Sequence, residues 1–524
     1  MTLQKWIEDR AIHGFPTFSV EDVRAADLCS SEQILQNELS RLCSNKTIAS
    51  VYRGYYVIIP TQYVLRGSVP ATYYIDQLMS YLQKPYYVCM LSAAEMLGAA
   101  HQRPQQFYVM TTFPKRRTVS TRNVTIDWLY RDGLPEEAYE FLKQLIREYT
   151  PKANEETKAI EEYAQKIEGV SFQLQPYDRF YYSAKMKKEE FSLSEDDVKT
   201  YFNVDSVQLN GVFYAANRVY GLTFKRRYDI PTYHPDMKVF EVIDKDGETI
   251  ALFYSDYFRR PTKRGGAWMS SFAKQSTFRH QIPFIYNVCN NAKAPEGQPS
   301  LLSWDEVTTL FHEFGHALHG ILSHCKYNAL SGTAVARDFV EMPSQFNESF
   351  ASIPEIFDHY AKHVETGMAM PITLKEKMMN SINFHSAYAL GENLTATCLD
   401  LAWHMLSPEE IPTAAEAPAF ERKALERIGL LNNQIPPRYS TSYFNHIWGG
   451  GYAAGYYSYL WTEVLAVNIA DYFAQHGALK SEIGQLFREK VLSRGNTCDL
   501  MEMFTDFTGL QAPEISGLLK ARGL

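Results

Sequence analysis

The sequence predicts a mainly α-helical chain with a small β-sheet in its interior, preceded by a compact α/β module. Three observations carry that reading. Apolar residues recur at helical spacing over Glu136–Tyr149, over Glu155–Ile167 and through most of the chain from Ser303 onward. Strand-forming residues flank an Asp246-Gly247 turn. The first sixty residues follow the order helix, helix, strand, turn, strand. A composition of 45% hydrophobic and 21% charged residues is that of a folded globular protein and excludes disorder and collagen. The length of 524 residues asks for about two to four domains, or one large two-lobed body with a cleft.

Taken in order, Ser19 is an N-cap followed by Glu21 and Asp22, acidic groups favoured in a first helical turn. Ile34, Leu35, Leu39 and Leu42 mark a second helix from Ser30/Ser31 to Cys43. Thr47–Tyr52 and Tyr55–Ile59, split by Arg53-Gly54, read as strand, turn, strand, and the whole order suits a winged helix. The segment continues through Tyr74–Leu78 and Leu91–Leu97, and Lys115-Arg116-Arg117 marks a linker. From about Asn123 the two long helical periods follow, the second with a charged, solvated face. Gly211–Ala215 and Val239–Tyr254 carry strand signals, the latter a hairpin about Asp246-Gly247, and Gly265–Met269 adds an edge strand.

No run of about 18 uninterrupted apolar residues exists; Tyr86–Ala100 comes nearest, is short and contains Glu95, so no membrane span is expected. Lys5, Glu8, Asp9 and Arg10 stand where an export signal needs an apolar stretch, which predicts a cytoplasmic protein. The seven cysteines are odd in number, widely spaced and free of C-x-x-C pairs, as expected of reduced packing residues. The net charge of −8 gives no general affinity for nucleic acid. Its distribution is uneven: residues 1–122 carry 13 basic and 9 acidic side chains, the remainder 39 and 51.

The strongest chemical signal is Leu310-Phe-His-Glu-Phe-Gly-His-Ala-Leu318, an H-E-x-x-H motif. Ser303 and Glu306 form a capping-box pattern ahead of it, and Phe311, Phe314, Leu318 and Leu322 continue an apolar stripe, so the motif lies on a helix. His312 and His316 then stand one turn apart on one face, where both imidazoles reach one Zn²⁺ at about 2.0–2.1 Å. Glu313 lies beside the open position, as the general base that takes a proton from water and passes it to a leaving amine. A third ligand is required. The metzincin arrangement needs Gly at 319 and His at 322, where the sequence has His and Leu, so a histidine of that kind is excluded. Asp338–Glu348 offers a carboxylate from a second helix, Glu341, 25 residues after His316. Pro343 should start or kink that helix. Glu348, at i+7 from Glu341, shares its face and either orients a ligand histidine or is an ordinary surface glutamate.

His312–Ala351 resembles the active-site segment of the thimet oligopeptidase (M3) family of zinc peptidases, in its peptidyl-dipeptidase branch. The likeness extends over about residues 123–524 through Phe172–Tyr177, Asp229–Asp236, Gly265–Phe272, Pro283–Cys289, Leu330–Thr333, Arg337–Glu341 and Pro436–Tyr439 to the end. It implies a gluzincin-like zincin fold, one Zn²⁺ per chain and short peptide substrates. Release of C-terminal dipeptides is the activity it points to, with internal oligopeptide cleavage the alternative. Gly449-Gly450-Gly451 marks a turn, hinge or close backbone approach. The resemblance places on this glycine loop a tyrosine that donates to the oxyanion, with a histidine before it and a second tyrosine after it: Tyr452, His446 and Tyr459. Tyr456 and Tyr457 are read as packed aromatics, His319 as a packed or supporting group, His324 as exposed, and Arg337 as structurally paired.

Members of that family carry a long helical stretch ahead of the point matched by Asn123. Here residues 1–120 stand in its place and resemble the winged-helix start of AbiEi-type antitoxin and transcription-regulator proteins. The expected organisation is therefore a winged-helix module at 1–120 and a catalytic part at 121–524. The alternative function is an antitoxin-like regulator that binds DNA through residues 1–60, fused to a weakly active or inactive peptidase half.

Overall fold

Short polar caps and apolar stripes account for the first elements. The computed structural model describes residues 1–65, 67, 69–84, 86–88, 106–111, 119–121, 124–130, 135–169, 171 and 173–524. The expectations on Leu91–Leu97, on the 115–117 linker and on Phe172 lie outside these residues. The chain divides into two compact units. The first comprises Met1–Phe141, Ala396–Gly429 and Tyr439–Tyr456; the second comprises Leu142–Thr395, Leu430–Arg438 and Tyr457–Leu524.

In the first unit Thr2 caps α1 (Leu3–Ile12), a helix that the sequence reading missed because its core contacts are few: Leu3 and Ile7, with Trp6 packed beside them. β1 (Thr17–Ser19) leads into α2 (Val20–Ala25), where Ser19 and Asp22 form a reciprocal capping box. α3 (Glu32–Ser44) starts at Ser31, and β2 (Ile48–Tyr52) and β3 (Tyr55–Ile58) follow, with Gly54 at φ 75° between them. The strands pair antiparallel in the order β1-β3-β2. Leu3, Ile7, Phe18, Val23, Leu35, Leu39, Leu42, Ile48 and Ile58 share one core. Ile34 does not join it: Leu35, Leu39 and Leu42 set the buried stripe, and Ile34, one residue off that stripe, is 45% exposed. The stretch Tyr74–Leu78 lies at the start of a helix, α4 (Ile75–Leu82). A second sheet, unanticipated, has the order β4-β5-β7-β6, from β4 (Tyr86–Val88), β5 (Gln106–Thr111), β6 (Val119–Thr121) and β7 (Val124–Tyr130).

The two helical periods after Asn123 form one 34-residue helix, α5 (Pro135–Glu168), which runs through Pro151. An interior proline costs about 3 kcal/mol. Offsetting it is a buried stripe, Leu142, Leu145, Tyr149, Ala153, Glu156, Ile160 and Ala164, apolar but for Glu156 and at heptad-like spacing on both sides of the proline. Gly211–Ala215 is also helical rather than a strand. A π-turn over Val207–Val212 leads into α6 (Phe213–Tyr220). A Cβ at residue 211 would lie 3.0 Å from the Tyr360 ring, so this glycine serves close packing, and the buried positions Phe213, Ala216 and Tyr220 follow helical spacing.

The second unit holds a five-stranded sheet of order β11-β12-β10-β9-β8. Its strands are β8 (Thr223–Arg227), β9 (Lys238–Ile243), β10 (Thr249–Phe258), β11 (Trp268–Ala273) and β12 (Phe284–Asn291). β9 and β10 are the expected hairpin, and β11 is the expected edge strand, beginning at Trp268. One face of the sheet lies in the same core as α7 (Trp304–Ile321), through Phe253, Ile285, Phe311, Phe314 and Leu318. Among the described residues no helix is long and apolar enough to cross a membrane.

Candidate metal centre

α7 opens on a complete capping box, with Ser303 Oγ accepting from Glu306 N and Glu306 Oε2 accepting from Ser303 N. The stripe Phe311, Phe314 and Leu318 is buried, which turns the opposite face with His312 and His316 outward from the core. Their rings stand 5.0 Å apart, nearly perpendicular at 83°. The partner segment bends at Glu341, between α8 (Arg337–Val340) and α9 (Met342–Glu348), and Pro343 sits in the first turn of α9 as expected. Glu341 Oε2 comes to 3.0 Å from His316 Nε2 and 3.3 Å from His312 Nε2.

Three features that sequence reasoning did not identify position the two segments, two by joining them and one by shaping the second. A Cβ on Gly315 would lie 2.6 Å from Ser344 Cα and 2.7 Å from the Pro343 carbonyl oxygen, so α7 touches the α9 backbone only because residue 315 is glycine. Asn347 Nδ2 donates to the Phe311 carbonyl at 2.6 Å. Ser344 Oγ donates to the Glu341 carbonyl at 2.8 Å, fixing the bend itself. The mid-motif glycine was the one available signal.

One ligand atom from each of His312, His316 and Glu341 lies within 4.8 Å of the others. A tetrahedral zinc site with bonds of about 2.0–2.1 Å spaces its donors about 3.3 Å apart, so the two imidazoles and one carboxylate fit that ion with a fourth position open. The electrostatics agree. Burial alone would raise the Glu341 carboxyl, but the His316 and His312 imidazoles outweigh it and hold Glu341 well below the usual carboxylate range. Burial pushes the Glu313 carboxyl up, against the opposing pull of His312 and His316. Glu313 is only 5% exposed, and its Oε2 has no hydrogen-bond partner.

Glu348 does what its i+7 position suggested: its Oε1 lies 2.6 Å from His312 Nδ1, which leaves Nε2 for the metal. Glu348→Gln is expected to lower metal affinity by about 10- to 100-fold without unfolding the chain. Competition with a zinc-binding dye checks this, and an unchanged affinity would reduce Glu348 to a surface group.

His319 is fully buried, and neither ring nitrogen has a hydrogen-bond partner; burial pushes the imidazole down to about 3 from 6.5. Its contribution to stability is therefore complete above pH 6.5 and is lost as pH falls, because the unfolded chain takes the proton first. Near pH 5 this group alone makes unfolding take up about one proton, or about 1.4 kcal/mol per pH unit. Denaturation of His319→Gln between pH 7 and 4.5 should show a correspondingly shallower loss than the parent chain. His324 is exposed, as expected.

Tyr459 lies in the first turn of a second-unit helix (Ser458–His476) and is half-buried; Gln345 Nε2 of α9 donates to its carbonyl at 2.9 Å. Beside it Tyr457 OH donates to Asp338 Oδ2 at 2.9 Å, so Tyr457 anchors the helix to the ligand-bearing segment as well as packing. His446 and Tyr452 belong to the first unit, with ring centroids 5.9 Å apart. Tyr456 packs there against His446, Phe444 and Tyr439.

An H-E-x-x-H helix completed by a glutamate from a second segment, here at the bend between two short helices rather than within one helix as expected, is the donor set of a metallopeptidase. The chain belongs to Peptidase family M3, whose sequence profile matches residues 120–524. It is 45% identical to the dipeptidyl carboxypeptidase of Escherichia coli over 390 residues, which are 74% of this chain and 57% of that protein. It is 35% identical to E. coli oligopeptidase A over 400 residues, with the same shares of 74% and 57%. Among solved structures, Trypanosoma cruzi metallocarboxypeptidase 1 aligns with a TM-score of 0.42 at 11% identity, over 74% of this chain and 65% of that one. The chain thus spans little more than half the length of the curated relatives it matches.

Proposed function

We propose that the protein is a zinc peptidase that releases dipeptides from the C-terminus of short peptides. The observation that carries this reading is the convergence of His312, His316 and Glu341 beside the buried, hydrogen-bond-free carboxylate oxygen of Glu313. His312, His316 and Glu341 hold one zinc ion per chain. When bound, zinc supplies a Lewis acid that polarises the scissile carbonyl and makes water more acidic. Glu313 takes the proton from the attacking water and delivers it to the leaving amine. Tyr452, Tyr459 and His446 donate to the oxyanion as the carbonyl becomes tetrahedral. The choice of dipeptide release over internal cleavage rests on the 45% identity to a dipeptidyl carboxypeptidase, against 35% to an oligopeptidase. Incubation with peptides blocked at the N-terminus, read by mass spectrometry, tests it: successive loss of C-terminal dipeptides supports the reading, and scattered internal cuts assign oligopeptidase activity instead.

We further propose the division into a module at 1–120 and a catalytic part at 121–524. The start of the family match at residue 120 supports it. The β1-β3-β2 sheet, with α1 ahead of it and α2 and α3 inserted between β1 and the β2-β3 hairpin, supports a winged-helix reading of the module. Charge weighs against DNA as its ligand. Residues 1–60 carry six basic and seven acidic side chains, and Arg24 and Arg41 are each bound at 2.8 Å by a glutamate of α3.

A further inference from the structure

The loop that carries Tyr452 is rich in glycine, yet it is tied at nearly every residue. Gly449 N and Gly450 N both donate to the Asn445 carbonyl, and Tyr452 N donates to the His446 carbonyl at 2.9 Å. A Cβ at residue 450 would meet His446 Cα at 2.9 Å, and Gly451 takes φ 85°, so the glycines serve tight turning. Beyond Tyr452 the chain takes a second sharp turn, at Ala454, a non-glycine residue held at φ 46°.

That turn has a specific support. Asp400, fully buried near the end of the helix Ser386–His404, accepts from Ala454 N at Oδ1 (2.7 Å) and from Tyr456 N at Oδ2 (2.8 Å). His404 Nδ1 lies 2.9 Å from Asp400 Oδ1 and 3.3 Å from Ala454 N, completing the cluster. An aspartate inside a helix weakens it, and a buried carboxylate is tolerated only where hydrogen bonds repay its lost hydration. Here both oxygens are occupied by one short stretch of loop backbone. All these residues belong to the first unit.

We infer that Asp400 is a positioning residue for the oxyanion-binding loop, holding the backbone of Ala454 and Tyr456 so that Tyr452 and His446 keep one orientation. The inference rests on the catalytic role proposed above for Tyr452. Asp400→Asn keeps the shape but turns an amide NH₂ toward a backbone N–H, leaving one loop donor unpaired. The expected result is a fall in kcat of about 10- to 100-fold with little change in KM, at unchanged zinc content. Because Asp400 acts through Tyr452, Asp400→Asn should add almost nothing to Tyr452→Phe: the double variant should stay within about threefold of Tyr452→Phe alone. Losses that multiply would overturn the inference.

Amide hydrogen exchange gives a second readout that needs no turnover. In the parent chain the Ala454 and Tyr456 amides should exchange at least about tenfold more slowly than unprotected amides, and Asp400→Asn should abolish that protection at one of the two, the amide left facing the NH₂. Rapid exchange in the parent chain, or protection of both amides that survives the substitution, would overturn the inference; the parent measurement decides even if the variant fails to fold. If the zinc-loaded parent cleaves no peptide, the proposed function fails, and exchange alone decides whether Asp400 clamps the loop.

Discussion

Glu313→Gln should abolish peptide hydrolysis, with kcat lower by about 10²–10⁴-fold, while zinc content stays at one ion per chain. Glutamine has nearly the volume of glutamate, so a site only 5% exposed accepts it without a cavity. Glu313 is not among the three converging donors, so its loss leaves the ligand set intact. What disappears is the proton acceptor. Burial has already raised the affinity of this carboxyl for a proton, the adjustment a general base needs to work near neutrality. Elemental analysis alongside a dipeptide-release assay separates the outcomes. Loss of zinc would make Glu313 structural, and undiminished turnover would place the base elsewhere.

The parts of the site that were legible in the sequence are those that local geometry determines. His312 and His316 sit on one helical face because they are four residues apart, and the Ser303/Glu306 box shows where that helix begins. Glu348 could be linked to a ligand histidine only through the assumption that Glu341 is a ligand, and the structure places its Oε1 2.6 Å from His312 Nδ1. Asn347, Asp338 and Asp400 were not legible, because each acts on a segment 36, 119 or 54 residues away and no periodicity encodes that partner. The errors in secondary structure have a related cause. Val212, Phe213 and Tyr214 favour strands in isolation, but packing around Tyr360 makes them helical. Pro151 argues for a break, but the buried stripe of α5 outweighs it. In both places tertiary burial overrode a local preference of a few kcal/mol or less.

Gly315→Ala should damage the metal site more than a single methyl group suggests. The added carbon would lie 2.6 Å from Ser344 Cα, 2.7 Å from the Pro343 carbonyl oxygen and 2.8 Å from Asn347 Cβ. The two nearest atoms are backbone, so no rotamer change relieves the overlap. α7 and α9 must move apart, and the contacts that then weaken are those that aim Glu341: the Asn347 bond to Phe311 and the approach of Oε2 to both imidazoles. Overpacking of this kind costs about 1–3 kcal/mol of stability. Metal binding should suffer as well, because a ligand displaced by a few tenths of an ångström no longer matches the bond lengths zinc requires. The expected result is a lower melting temperature and zinc lost on dialysis against a mild chelator that the parent chain withstands. Full zinc retention with parental melting would show that the contact between α7 and α9 does not set the ligand geometry.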